Sequence, residues 1–428
     1  MESLGWLLWD WLIHLPYLLL QPFLYLFLLL TFLIYRRQVE LERSLFHIKL
    51  HSVWERWWSS VLLGILAGLI FSVLFLVTGL TLRLEDLLWV GVLTLFLSFF
   101  HVRFLCLSYS GGIIGILALL AQLWNTPATW PMVGWFWQEM ASIQLFPLLT
   151  LVAFLHIAEA ILVGVDGDFA ASPLILEGKR GQLQGGYYAE RFWVLPMLLP
   201  VPFLWGWDAT SQFPDSWPIW FGQDASSFLF LPIPLIIGYS RLIMARTPQQ
   251  AKRLAMWELL LYSGGLLLLL MLAVWWQWFL IGAVLWTIGG HEWLHYRQQA
   301  WEWQHRPYFV QKSYGVKILA VLPQSSAQEM GLEIGELIVK VNGEAVNNRK
   351  ELYAALQQQG TQVHLEVEDL NGNIKLAQAT IYTGEHHQLG IITAPDEKTE
   401  FYVDWQTESL WKVIRQRWKR IQRTHQSS

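Results

Sequence analysis

The sequence predicts a polytopic α-helical membrane bundle, followed by a small α+β domain and a C-terminal basic amphipathic helix. Three observations carry this. Hydrophobic residues make up 54% of the 428-residue chain and charged residues only 14%, against about 25% charged in an ordinary globular protein. Apolar runs of membrane-crossing length, about 20 residues each, recur through residues 1–290. From His291 the composition turns polar and strand-like, and residues 397–428 are strongly basic.

Taken in order, Leu15–Tyr35 is the first strong span and ends at Arg36-Arg37. A basic amphipathic stretch follows to Arg56, and Ser59–Leu80 is the second span. Leu87–Phe100 and Phe104–Leu123 form a pair around His101 and Arg103. Ile143–Val165 is the fifth. Phe192–Gly206 is short and proline-rich, suited to a kinked or re-entrant span, and Phe228–Ile243 is a further span. Met256–Gly290 is long enough for two, turning near Trp275-Trp276-Gln277-Trp278, which gives about eight to nine spans in all. The 27 tryptophans fit many membrane–water boundaries, where Trp is enriched. No cleavable signal peptide is expected, because Met1–His14 lacks a basic start.

Lysine and arginine set the orientation. They gather in 36–56, 101–103, 179–191 and 246–253, while 81–86, 124–142 and 207–226 hold almost none. Basic loops and the C-terminal domain then lie in the cytoplasm. The N-terminus lies outside if Leu15–Tyr35 is a single pass, or inside if the Trp-rich Gly5–His14 forms part of a hairpin. The net charge of −4 gives no reason to expect nucleic acid.

Beyond a linker helix at 291–312, residues 313–396 read as one small domain. Strand Ile318–Leu322 runs into Pro323 and a small-residue turn. A one-turn helix, Gly331-Leu332, and a second strand ending at the hairpin dipeptide Asn342-Gly343 follow. Asn348–Gln358 is helical, and Val363–Asp369 and Ile374–Ile381 are strands joined at Asn371-Gly372. This order resembles PDZ domains, which hold an extended peptide by adding it to a sheet edge beside a helix. The resemblance implies a groove walled by Leu352 and Leu356 on the helix. Its binding strand would follow Leu389-Gly390-Ile391, late in the domain as in many permuted bacterial PDZ domains. Tyr314-Gly315-Val316 is the rival strand, and His386 and His387 precede the favoured one. In the tail, Leu410, Trp411, Ile414, Trp418 and Ile421 share one helical face amid Lys and Arg. That pattern suits an anionic membrane surface, an acidic partner or packing on the domain.

One motif points to different chemistry. His291-Glu292-Trp293-Leu294-His295 matches H-E-x-x-H, in which two histidines one helical turn apart share zinc and the glutamate activates water. An intramembrane metalloprotease of the site-2 type, with His291 and His295 as ligands and Glu292 as base, is the alternative function. Against it, no span follows His295 to supply a third ligand, and Asp166 is the one stand-in. Within the fifth span His156 and Glu159 form a polar pair, read as internally hydrogen-bonded. Cys106, the single cysteine, reads as a small buried residue.

Taken with the span layout, three stretches make the chain resemble the MinJ family of cell-division topological determinants. They are Phe46-His47-Ile48-Lys49-Leu50-His51, the loop Ser172-Pro173 with Gly178-Lys179-Arg180-Gly181, and His387-Gln388-Leu389-Gly390-Ile391. The resemblance implies a membrane scaffold with no catalytic residue and no cofactor, enriched at septum and poles. Its partners would be cytoplasmic: DivIVA-like, MinD-like and other divisome proteins, besides membrane lipid. Tethering in the membrane plane would raise effective concentration for these partners.

Overall fold

The computed structural model describes residues 2–48, 50–100, 102–124, 131–166, 171–178, 181–202, 211–212, 227–357, 362–380 and 389–396. His386, His387 and the basic tail lie outside these. The first half is helical: α1 (Glu2–His14), α2 (Pro22–Phe46), α3 (Val53–Thr78), α4 (Leu84–Ser98), α5 (Leu107–Leu123), α6 (Pro131–Ser142) and α7 (Leu145–Asp166). Strands β1 (Ala171–Glu177), β2 (Leu183–Pro202), β3 (Ser211–Gln212) and β4 (Ser227–Ile243) follow, then α8 (Pro248–Trp275) and α9 (Trp278–Gln304). The last region holds β5 (Val316–Val321), α10 (Ser326–Glu329), β6 (Leu337–Val341), β7 (Glu344–Ala345), α11 (Arg349–Gln357), β8 (Gln362–Glu368), β9 (Ile374–Thr380) and β10 (Ile391–Thr393).

Helices α2, α3, α7 and α8 are long and apolar enough to cross a membrane. Of their apolar windows, 78% of that in α7 is buried against 28% in α2, so α7 is the hub and α2 lies at the rim. Thr247 opens α8 with a capping box to Gln250, and Pro248 occupies the first turn, where its missing N–H costs nothing. Helix α8 gives way to α9 at Trp276-Gln277.

Two expected spans are not helices. Of Phe192–Gly206, residues 192–202 fall in β2 and 203–206 lie outside the described residues; Phe228–Ile243 falls in β4, and the two strands pair antiparallel from Tyr187↔Ile243 to Pro202↔Phe228. A continuous apolar run fits a strand buried on both faces as well as it fits a helix. The register shows how the hairpin tolerates this setting. Pro196 pairs with Pro234, and neither has an N–H to give. That pair, and every second pair beside it, therefore turns its backbone groups outward rather than across the ladder. Even-numbered residues of β2 accordingly face α3. The Phe192 amide donates to Tyr35 Oη at 3.0 Å, and its carbonyl accepts from Tyr35 at 2.8 Å and from Ser60. The Leu198 amide donates to Ser72 Oγ at 2.9 Å, and the Pro200 carbonyl accepts the Leu82 amide at 3.2 Å. Pro196 and Pro200 have no donor to satisfy. Gly64 and Gly68 let the backbones meet, since a Cβ there would sit 2.3 Å from the Val194 oxygen and 2.6 Å from the Pro196 oxygen.

At the base of this hairpin, arginines expected as loop charges are buried against carboxylates. Arg56 lies 2.9 Å from Glu42, which also accepts Ser172 Oγ. Arg191 donates to Asp166 at 2.7 Å. Arg246 meets Glu302, and Arg241, from the expected span Phe228–Ile243, meets the buried Glu258, which the half-exposed Arg297 also reaches. Charges so deep persist only when paired.

The C-terminal region forms a six-stranded sheet in the order β10-β5-β6-β8-β9, with β7 on β6. Asn342 and Gly343 both take positive φ, 50° and 88°, the two-residue turn their identity predicts. Asn348 caps α11: its Oδ1 accepts the Glu351 amide at 2.9 Å, and Glu351 accepts the Asn347 amide at 2.8 Å. The bond from the Asn347 amide, with those from the Asn348 and Asn347 side-chain amides, holds the Glu351 carboxyl below its usual range. The linker expected at 291–312 is not a separate helix, because α9 runs unbroken to Gln304.

Candidate functional site

The expected peptide-binding residues come together. Strand β10 is an edge strand, bonded to β5 through Ile391↔Val321 and Ile392↔Ala320. Leu389 and Ile391 share one apolar cluster with Leu352, Ala355 and Leu356 of α11. Leu352 and Leu356 pack inward with almost no exposure, as does Leu389. Among the described residues no strand pairs with the outer edge of β10, and an added strand would pair there. The rival Tyr314-Gly315-Val316 leads into β5, which has β10 on one side and β6 on the other.

The turn before β10 is held by backbone bonds. The Leu322 amide donates to the Gly390 carbonyl at 2.7 Å, and the Ala327 amide to the Leu389 carbonyl at 3.0 Å. Gly390 has φ of 81°, and a Cβ there would lie 2.1 Å from Ser325 Cβ. Both facts demand glycine. A cleft of about 840 Å³ opens between the β1–β2 turn and this domain, lined by Gln182, Gln311, Asn348, Lys350, Pro395 and Asp396 among others.

The opposite face of β10 and β5 docks on the bundle. Leu319, Ala320 and Ile392 join Tyr187, Ile243 and Phe309 in the largest core. Tyr187 Oη donates to the Leu319 carbonyl, the Gly185 amide to the Phe309 carbonyl at 2.8 Å, and the Tyr308 amide to the Met244 carbonyl at 2.8 Å. Lys317 lies over the Tyr308 ring, 3.9 Å from its centroid. Burial, with Lys312 nearby, pushes its pKa down to about 8.

The H-E-x-x-H residues do not assemble as a protease would need. Glu292 is ion-paired with Arg103. Asp166 is engaged by Arg191 and Ser59. His291 instead turns to Cys106 and His156: its Nε2 lies 3.5 Å from Cys106 Sγ, and the His156 Nε2 lies 3.1 Å from the same sulfur. Among the described residues, the metal-capable group containing His291 is Cys106, His156 and His291, without His295. Cys106 was missed from sequence as anything but packing, and no local spacing links residues so far apart. Glu159 lines the same cavity as Cys106 and His156.

Comparison with known proteins agrees with this geometry. A PDZ-domain family model matches residues 317–369. The chain is 26% identical over 383 residues to the cell division topological determinant MinJ of Bacillus subtilis (strain 168), covering 89% of this chain and 94% of that protein. It is 27% identical over 305 residues to a probable MinJ of Lacticaseibacillus paracasei, covering 66% of this chain and 77% of that one. A shorter likeness, 29% over 69 residues, links it to the serine protease HTRA1 of Xenopus tropicalis, over only 15% of that protein. The chain is thus similar to MinJ along nearly its whole length, with four helices long and apolar enough to cross a membrane and a PDZ domain near its C-terminus.

Proposed function

We propose that this protein is a cell-division topological determinant that acts as a membrane-anchored adaptor and not as an enzyme. The supporting observation is the likeness to MinJ along nearly the whole chain, joined to a PDZ domain whose edge strand β10 has no outer partner strand among the described residues. The unit spanning 313–396 sits on the cytoplasmic side. It takes an extended peptide along β10, with Leu389, Gly390 and Ile391 forming the strand entry and Leu352 and Leu356 supporting the helical wall. The bundle, 1–290, confines the chain to the bacterial cell membrane, and the tail 397–428 adds contact with anionic lipid or an acidic partner. A DivIVA-type protein on one side and the MinC–MinD inhibitor on the other are the partners bridged, at septum and poles. A zinc protease is not favoured, since Glu292 is committed to Arg103.

A fluorescent fusion of the full chain, expressed from its own locus, tests the reading. Septal enrichment, with division misplaced toward the poles on deletion and corrected by the fusion, is the expected result. Even membrane distribution and unchanged division on deletion would refute it. Glu292→Gln should complement as well as wild type.

A further inference from the structure

We propose that Cys106, His156 and His291 form a transition-metal site of the zinc class inside the helical bundle. Their three ligand atoms lie within 4.8 Å of one another. Zinc bonds of about 2.3 Å to sulfur and 2.0–2.1 Å to nitrogen, at tetrahedral angles, set sulfur and nitrogen roughly 3.5 Å apart. The two observed separations from Cys106 Sγ are 3.1 and 3.5 Å.

The outer nitrogens support the same assignment. His156 Nδ1 lies 2.7 Å from the Val152 carbonyl, which can only accept, so that nitrogen carries the hydrogen and Nε2 presents a lone pair. His291 Nδ1 lies 3.3 Å from Tyr109 Oη. Metal-ligating histidines characteristically commit the second ring nitrogen in this manner, which fixes the ring and its tautomer. Ser108 Oγ, 2.9 Å from His156 Nε2, and the thiol hydrogen satisfy the two imidazoles when no metal is bound. Loading therefore exchanges the thiol proton for the cation, and affinity falls as pH falls. A thiolate with two imidazoles selects zinc-like ions over magnesium or calcium. A water would complete the set; Glu159 lines the same cavity but is not among the ligand atoms that lie within 4.8 Å of one another.

The ligands come from the segment entering α5, from α7 and from α9. A cation there pins α9, the helix that carries the C-terminal domain, to the buried hub of the bundle. The site is a clamp, and it does not depend on the adaptor reading.

The test uses the full chain in detergent and exploits its single cysteine. Purified wild type should hold about one zinc per chain, and Cys106→Ser and His156→Gln should lose it. His295→Ala should keep it. In wild type alone, zinc should slow maleimide labelling of Cys106 severalfold and a chelator should restore it, a result that needs no variant to fold. Absence of stoichiometric zinc with zinc-independent labelling overturns the proposal. So does zinc retained in Cys106→Ser but lost in His295→Ala, which would place the metal on the H-E-x-x-H pair.

Discussion

Gly390 and Lys317 show how much the C-terminal domain depends on single side chains. Gly390 has a left-handed backbone and no room beside Ser325. Gly390→Ala should cost about 1–3 kcal/mol from the backbone alone and disturb the start of β10. A lowered melting temperature with weaker partner capture is the expected outcome, and an unchanged melting curve would contradict it. Lys317 is penalised as a cation in the folded state, with its pKa at about 8 against 10.5 for the free side chain. Between those values the unfolded chain holds the proton and the folded chain does not, so stability rises with pH. The cost is complete below pH 8 and fades as pH climbs toward 10.5. Lys317→Met removes this slope, so melting curves from pH 7 to 10 should show wild type gaining on the variant as pH rises. The helix expected at 348–358 is seen as Arg349–Gln357, with Leu389 and Ile391 in its apolar cluster, because hairpin and helix signals are local in sequence. Cys106, His156 and His291 were not legible, because sequence separations of 50 and 185 residues leave no pattern to read.

At the scale of elements, the helices followed from hydropathy, while β2 and β4 did not. Both are apolar on each face, and such a run has no period that separates strand from helix. The prolines did hold the answer. Pro196, Pro200 and Pro202 share one parity in β2, as do Pro232 and Pro234 in β4, and the register pairs Pro196 with Pro234 and Pro202 with Phe228. Proline on alternate positions marks a strand whose outward side makes no ladder bonds. At Phe192 and Leu198 a hydroxyl meets the outward amide, and removing that hydroxyl leaves a buried amide unpaired. Ser72→Ala should therefore cost about 1–3 kcal/mol through the Leu198 amide. Gly64→Ala should be at least as costly, since its Cβ would meet the Val194 oxygen at 2.3 Å. Thermal unfolding in detergent measures both, and near-wild-type values would mean that β2 does not lie against α3.

For the whole molecule, the notable fact is that the C-terminal domain is seated rather than strung out. Gly185 admits Phe309 and Leu319 at the seat, where a Cβ would approach them at 2.9 and 2.8 Å. Glu302 accepts the Met244 and Ala245 amides at 2.8 Å each. Gly185→Leu should unseat the domain without unfolding it. Limited proteolysis between 305 and 315 should then accelerate, while the bundle keeps its melting temperature. The unbroken α9 gives this arrangement its wider meaning. A helix of 27 residues, about 40 Å long at 1.5 Å per residue, leads out of the bundle, and the backbone bonds at Gly185 and Met244 hold the segment 305–315 that follows it. A flexible leash would let its cargo sample every heading, and each encounter would have to find its own. Here the seat fixes the heading of the domain relative to the bundle. If β10 takes a peptide as proposed, neighbouring copies in one membrane would offer their β10 edges in a shared orientation.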